Sequence, residues 1–206
     1  MASPIEFYFD FSSPYGYFAS TQIDALAADL GRTVVWRPIL LGPMFKAMGS
    51  APLTEIPLKG RYSRHDFERT ASLFDITFKQ PDPFPIGTVA AARAILTLQQ
   101  QGDHDKAAAL CKRLFKAFFA EGRDIGKAES VLKEAGALGI DTEALSAGMT
   151  RDDIKAALKS QVEDAMARGV FGSPFLFVDG EPFWGFDRFD YIRRWAKRDV
   201  ETAVSR

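Results

Sequence analysis

The chain has a single cysteine, Cys111, and only two histidines, His65 and His104, in 206 residues. One cysteine cannot close an internal disulfide, which points to a reducing, cytoplasmic setting. Two histidines and one cysteine would leave a zinc site dependent on carboxylates at unhelpful spacings, so no metal is expected. No glycine-rich phosphate loop of the Walker type occurs. Every apolar run falls well short of the roughly 20 residues that span a bilayer, and no membrane partner is expected. The opening M-A-S-P-I-E-F lacks the basic and apolar regions of a signal peptide. Neither charge sign is in excess: 26 basic against 27 acidic side chains give a net charge of −1. Nucleic-acid binders carry a basic face, and no basic run appears, so nucleic acid is not an expected partner.

What the chain has in quantity is phenylalanine, 18 residues of it, within an apolar content of 47%. That predicts an aromatic-rich core or a large apolar pocket. The length suits one large domain, or one domain carrying a sizeable insertion.

Hydrophobic periodicity divides the chain into three parts. Ile5–Phe11 reads as a strand, aromatic enough that both faces are covered. Tyr15–Leu30 reads as a helix ended by Gly31, and Val34–Pro38 as a second strand. Strand, helix and strand form a βαβ unit with parallel pairing and a right-handed crossover. From Leu41 to about Phe84 the pattern weakens among prolines, with a helical piece near Tyr62–Phe74. Helices follow at Thr88–Gln101, Lys106–Ala120, Lys127–Ala135, Asp141–Ser146 and Arg151–Arg168. Thr150 with Asp153 has the form of a capping box with a shorter acid. Cys111 lies beside the apolar stripe of the second of these helices and reads as a core residue. Phe175–Val178 and Glu181–Trp184 form a hairpin across Asp179-Gly180. Asp187–Val200 closes the chain as a helix with Phe189, Ile192 and Trp195 inward.

The corner after the first strand, F-D-F-S-S-P-Y-G, places Ser12 and Ser13 where a helix N-terminus gathers unpaired N–H groups and the positive end of the helix dipole. Two readings stand side by side. Ser13 caps the helix, with Pro14 in its first turn, or a serine hydroxyl there donates to a bound anion. A βαβ half followed by a ββα half is the thioredoxin arrangement, and its reactive group sits at this corner. A redox member would carry C-x-x-C; this chain has Ser13-Pro14-Tyr15-Gly16, which excludes disulfide exchange as the main activity. A second signal is Gly172-Ser173-Pro174 before the strand F-L-F-V. A proline entering a strand in this fold is commonly cis and exposes the preceding backbone to a peptide ligand.

These segments resemble the family of 2-hydroxychromene-2-carboxylate isomerases and kappa-class glutathione transferases, DsbA-like relatives of thioredoxin. The matching pieces are F-Y-F-D-F-S-S-P-Y-G-Y at 7–17, L-G-P-M-F-K at 41–46 and E-I-P-L-K-G-R-Y at 55–62. P-F-P-I-G at 83–87 and G-V-F-G-S-P-F-L-F-V-D-G-E-P-F-W-G-F-D-R at 169–188 complete the set. The expected fold is therefore α/β, thioredoxin-like (βαβ…ββα) and DsbA-like, a single unit. Residues 1–40 and 169–206 would form the thioredoxin-like part, and about 41–168 an all-helical insertion packed on the same sheet.

The resemblance implies bound glutathione as cofactor, with Ser13 donating to its sulfur and Ser12 packing or capping. Lowering the thiol pKa by two units from about 8.5 takes about 2.7 kcal/mol, within reach of one charge-assisted bond plus a helix terminus. It also implies that the Ser173-Pro174 backbone pairs with the cysteinyl portion. Asp187, which also reads as an N-cap, and Arg188 would take the γ-glutamyl end, and Lys59 the glycyl carboxylate. Lys46 and Arg61 are candidates for a substrate carboxylate, with Tyr15 and Trp184 lining the pocket. The implied activity is isomerisation of a small aromatic substrate of naphthalene-type catabolism. A thiolate adds to a conjugated carbon, a bond is freed to rotate, and the thiol is released again. Rival readings are a kappa-like transferase that conjugates glutathione to an electrophile, and a non-catalytic thioredoxin-like binding protein. The family resemblance also implies a homodimer. Three positions depart from the family: Ser50 and Gly87, where asparagine is frequent, and Gly16, where a polar residue is frequent.

Overall fold

A computed structural model describes residues 2–204, with side chains through residue 197. Ile5–Phe9 (β1) is a central strand because residues of both parities are apolar and both faces are covered. It pairs in parallel with Val34–Pro38 (β2), Phe7 lying opposite Trp36. Between them Pro14–Asp29 (α1) makes the crossover. Gly31, at φ +62°, ends that helix, and the following Arg32 N–H closes on Ala27 O at 2.9 Å.

Phe175–Val178 (β3) runs antiparallel to β1 on its other side, and Glu181–Trp184 (β4) forms the edge, giving the order β2-β1-β3-β4. Asp179 and Gly180 both take positive φ, 53° and 83°, the signature of a two-residue primed hairpin turn.

The residues between β2 and β3 are helical: Leu41–Met48 (α2), Lys59–Leu73 (α3), Val89–Gln100 (α4), His104–Phe119 (α5), Ala128–Gly136 (α6), Thr142–Thr150 (α7) and Asp152–Ala167 (α8). Phe189–Val204 (α9) closes the chain after a 3-10 turn at Phe186–Arg188.

The helices pack on both faces of the sheet. On one face Phe7, Phe9 and Phe11 meet α1 and α5, and Phe115 of α5 lies 5.5 Å from Phe9 and 5.0 Å from Phe11, centroid to centroid. On the other, Tyr8, Phe175 and Phe177 meet Ile154, Leu158 and Val162 of α8. The phenylalanines thus fill the core: Phe7, Phe9, Phe11, Phe18, Phe67, Phe115, Phe118 and Phe119 are among its fully buried side chains. Each such ring contributes about 1.5–3 kcal/mol by leaving water. Cys111 is buried with them, and burial pushes its thiol well up.

Several expectations are corrected. The first strand ends at Phe9 because the chain turns at Asp10, whose carbonyl accepts from Ser13 N–H at 3.0 Å. Helix α2 was unforeseen: Pro43 reads as a breaker, yet it sits in the first turn, where an N–H has no intrahelical partner to lose. The Thr150–Asp153 capping box does not form. Thr150 closes α7 and donates to Ala147 O at 2.8 Å, while Asp153 accepts from Arg151 Nε at 2.9 Å. Trp195 is not inward; it is 37% exposed, with its ring 6.4 Å from Phe183.

Because Phe115 joins the sheet to the helices, truncating it opens a cavity between them. Phe115→Ala is expected to cost about 3–5 kcal/mol, read as a lower denaturation midpoint in urea with an unchanged slope.

Candidate functional site

Asp10 follows the last residue of β1 and is buried. Its Oδ1 accepts from Ser12 N–H at 2.9 Å and from Thr88 Oγ1 at 2.8 Å, and its Oδ2 accepts from Leu41 N–H at 2.7 Å. Burial pushes the Asp10 carboxyl up, and these three donors work against that rise. One side chain therefore ties the start of α1 to the starts of α2 and α4. Ser12 Oγ adds a fourth tie, accepting from Ile86 N–H at 3.2 Å. The segments 41–46 and 83–87 are thereby drawn to the S-S-P corner.

The cis-proline loop reaches the same corner. The Ser173-Pro174 bond is cis. Ser173 Oγ accepts from Asp10 N–H at 3.0 Å, and the Ser173 carbonyl accepts from Ser13 Oγ at 2.8 Å. Ser13 is buried and is the N-cap of α1, its Oγ accepting from Gly16 N–H at 3.0 Å. The capping reading of Ser13 is thus realised. Its hydroxyl proton points to the other half of the site.

Two N–H groups flank this pair without a protein partner among the described residues, those of Tyr15 and Ser173. No acidic side chain stands in the first turn of α1 to offset its positive end. The corner is chemically a set of donors with no nucleophile of its own.

Gly16 explains one departure from the family. A Cβ there would lie 2.8 Å from Ser173 Oγ and 3.2 Å from Ser13 Cβ. The Ser173 side chain occupies the space that a residue larger than glycine would need. At Gly87 a Cβ would meet nothing within 4 Å, so a side chain is simply missing, and Ser50 is exposed.

The remaining predicted residues lie at varying removes. Tyr15 is half-buried between α1 and α3: its ring packs 5.1 Å from Phe67, and its hydroxyl donates to Asp66 at 2.6 Å. Burial, with the Asp66 carboxylate, pushes that hydroxyl up. Trp184 is exposed at the end of β4, packs 4.8 Å from Phe171, and lies over Gly172, where a Cβ would meet Trp184 Nε1 at 2.4 Å.

Pro174 O accepts from Gly185 N–H at 3.1 Å, and Asp187 and Arg188 follow in the 3-10 turn. Asp187 does not cap a helix; its carboxylate folds back over Gly185 and lies 3.4 Å from Arg188. Lys46 of α2 and Lys59 and Arg61 of α3 are exposed and enter no ion pair among the described residues. Arg61 lines an open cleft of about 410 Å³ with Thr54 and Arg64, and the hydrogen bonds of the Ser13 side chain go to Ser173 and Gly16, not to any of these three cations.

Sequence reasoning missed Asp10 and Thr88. An acidic residue directly after the aromatic run Phe7-Tyr8-Phe9 was the available signal for Asp10.

A family model described as a DSBA-like thioredoxin domain matches residues 4–195. The chain belongs to that family. Within it, the chain is 29% identical over 197 residues to a protein named 2-hydroxychromene-2-carboxylate isomerase from Sphingobium xenophagum, covering 95% of this chain and 98% of the other. It is 27% identical to glutathione S-transferase kappa 1 of Caenorhabditis elegans, covering 91% and 88%. The solved structure of a 2-hydroxychromene-2-carboxylate isomerase superimposes with a TM-score of 0.85 at 26% identity, over 98% of each chain.

Two outcomes follow from the packing of this corner. Gly16→Ala is expected to lower stability by about 1–2 kcal/mol although alanine favours a helix, because Ser173 Oγ must leave Asp10. In a Ser173→Ala background the same change costs less, a non-additivity that a double-mutant cycle in urea would read. Tyr15→Phe is expected to cost about 1 kcal/mol near neutrality. Partial burial raises the Asp66 carboxyl, but hydrogen bonds from Tyr15 and Arg69 outweigh it and hold the group below its usual range. A depressed carboxyl contributes stability that is full above its unfolded pKa, about 3.9, and is lost as pH falls through the folded value. Wild type and Tyr15→Phe should therefore converge in stability below about pH 4, as followed by unfolding at stepped pH.

Proposed function

We propose that this chain is a glutathione-dependent isomerase acting on a small aromatic substrate, in the manner of the 2-hydroxychromene-2-carboxylate isomerases it resembles. The observation that carries the reading is the 2.8 Å contact of Ser13 Oγ with the Ser173 carbonyl. It sets a hydroxyl donor at a helix N-terminus beside the exposed backbone of a cis-proline loop, without a cysteine at the corner. A borrowed thiol needs this combination: a donor for sulfur and a backbone edge for the peptide that carries it.

The residues present fit glutathione. The unpartnered N–H groups of Tyr15 and Ser173 suit a sulfur anion and a peptide carbonyl respectively. When bound, glutathione supplies a thiol that adds to a conjugated carbon of the substrate and is released unchanged. Ser13 holds the sulfur in its ionised form, assisted by the positive end of α1. Ser173 and Pro174 align the cysteinyl backbone. Asp187 receives the γ-glutamyl ammonium, and Arg188, already turned toward that carboxylate, holds the adjoining carboxylate. Lys59 serves the glycyl end, and Lys46 and Arg61 the carboxylate of the substrate. Trp184 offers an exposed ring beside the cis-proline loop, and Tyr15 contributes its ring edge, its hydroxyl being engaged by Asp66.

The kappa-class relatives favour a second reading, in which the same site conjugates glutathione to an electrophile. Free thiol followed over many turnovers separates the two: it stays constant for an isomerase and falls stoichiometrically for a transferase. Ser13→Ala is expected to lower kcat/KM by about 10–100-fold, the loss of one charge-assisted hydrogen bond. Unchanged turnover with unchanged glutathione affinity would overturn the role of Ser13, and calorimetry showing no glutathione binding would overturn both enzyme readings.

A further inference from the structure

Ser13 Oγ has one proton and two lone pairs, and the structure uses both capacities. It accepts from Gly16 N–H at 3.0 Å and donates to the Ser173 carbonyl at 2.8 Å. Ser13 is 5% exposed and Ser173 is half-buried between the buried Gly172 and Pro174, so the hydroxyl is shielded from water while the carbonyl edge is only partly so. The functional reading asks the same proton to serve a sulfur. One hydroxyl cannot donate fully to two acceptors. A thiolate is the stronger acceptor, but a partly buried carbonyl stripped of its donor carries a penalty of similar size. The gain and the loss nearly cancel unless another donor reaches the carbonyl.

We infer, on the basis of the glutathione reading, that Ser13 and the Ser173 carbonyl form a hydrogen-bond exchange that selects N-acylated cysteinyl thiols. The amide N–H of the ligand takes over the Ser173 carbonyl, and Ser13 turns its proton to the sulfur. Only a hydrogen moves. Rotation about Cβ–Oγ swings the proton while Gly16 N–H continues to hold the oxygen in place. Ser13 keeps its proton throughout, and the proton lost by the thiol passes to solvent. The Ser173 hydroxyl stays outside the exchange, since its oxygen is held by Asp10 N–H. Recognition of the peptide and activation of its sulfur thus become one event, and a thiol lacking an amide donor is bound without being ionised.

The test compares glutathione with an isostere whose cysteinyl N–H is replaced by an ester oxygen, on wild type and Ser13→Ala. The readout is thiolate ultraviolet absorbance against pH, each ligand referred to its own value in free solution. On wild type the ester isostere should show an ionisation constant about 10–100-fold smaller than that of glutathione. On Ser13→Ala the two ligands should differ little. The S-methyl forms, which cannot ionise, are compared in parallel by calorimetry. Their amide-over-ester preference should be larger in Ser13→Ala, where the carbonyl has lost its protein donor. Equal ionisation of both ligands on wild type, or an equal preference in both proteins, overturns the exchange and leaves the glutathione reading intact. Absence of glutathione binding overturns the reading and the exchange together.

Discussion

A carboxylate placed at the buried end of a strand must be compensated, and the compensation of Asp10 shapes everything around it. Taking an ionised carboxylate out of water costs several kcal/mol even after the protein relaxes. Each hydrogen bond to a charged acceptor returns about 1.5–3 kcal/mol, so no single donor suffices. Ser12, Thr88 and Leu41 together offset part of that cost, burial still holding the carboxyl above its usual range, and they stand at the starts of three different helices. The backbone of the same residue is equally engaged, with its carbonyl on Ser13 and its N–H on Ser173. Moving any one of these elements would leave part of a buried charge unpaired.

That constraint is what makes the Ser13–Ser173 contact dependable. Ser13 is held from below by the turn at Asp10 and from within its own helix by Gly16. Ser173 is held through its side chain, which leaves its carbonyl and N–H to face the corner. The absence of a side chain at Gly16 belongs to the same arrangement. The space above the first turn of α1 has room for Ser173 Oγ or for a Cβ at position 16, but not for both. A polar residue there would demand a smaller or differently turned residue before the proline.

Much of this was legible in the chain, and the illegible part has a physical pattern. The strands β2, β3 and β4 could be bounded to the residue because apolar runs, the Asp179-Gly180 turn and proline punctuate them sharply. Ser13, Ser173 and Pro174 could be singled out because a hydroxyl before a helix-opening proline and a proline entering a strand are local signals. Asp10 carried only the weak signal of an acid just past the strand, because two of its three side-chain partners lie 31 and 78 positions away, and one of those is a backbone N–H without any residue signature. The same holds for Tyr15 and Asp66, joined across 51 positions. The capping box at Thr150 failed for the converse reason. A local pattern was present, but the preceding helix α7 claimed the threonine as its own last residue.

The choice of serine over cysteine at position 13 follows from the electrostatics of the corner. A cysteine at a helix N-terminus, flanked by open N–H groups, would ionise and become the nucleophile itself. A serine in the same place keeps its proton at any physiological pH and remains a donor. The corner then presents open donors without a thiolate of its own. The protein's own thiol cannot fill the gap, because Cys111 is sealed within α5 and burial opposes its ionisation. Any sulfur chemistry at this site has to arrive with a ligand. In the proposed function, the backbone edge at Ser173 lets the ligand be read as a peptide before it is used as a thiol.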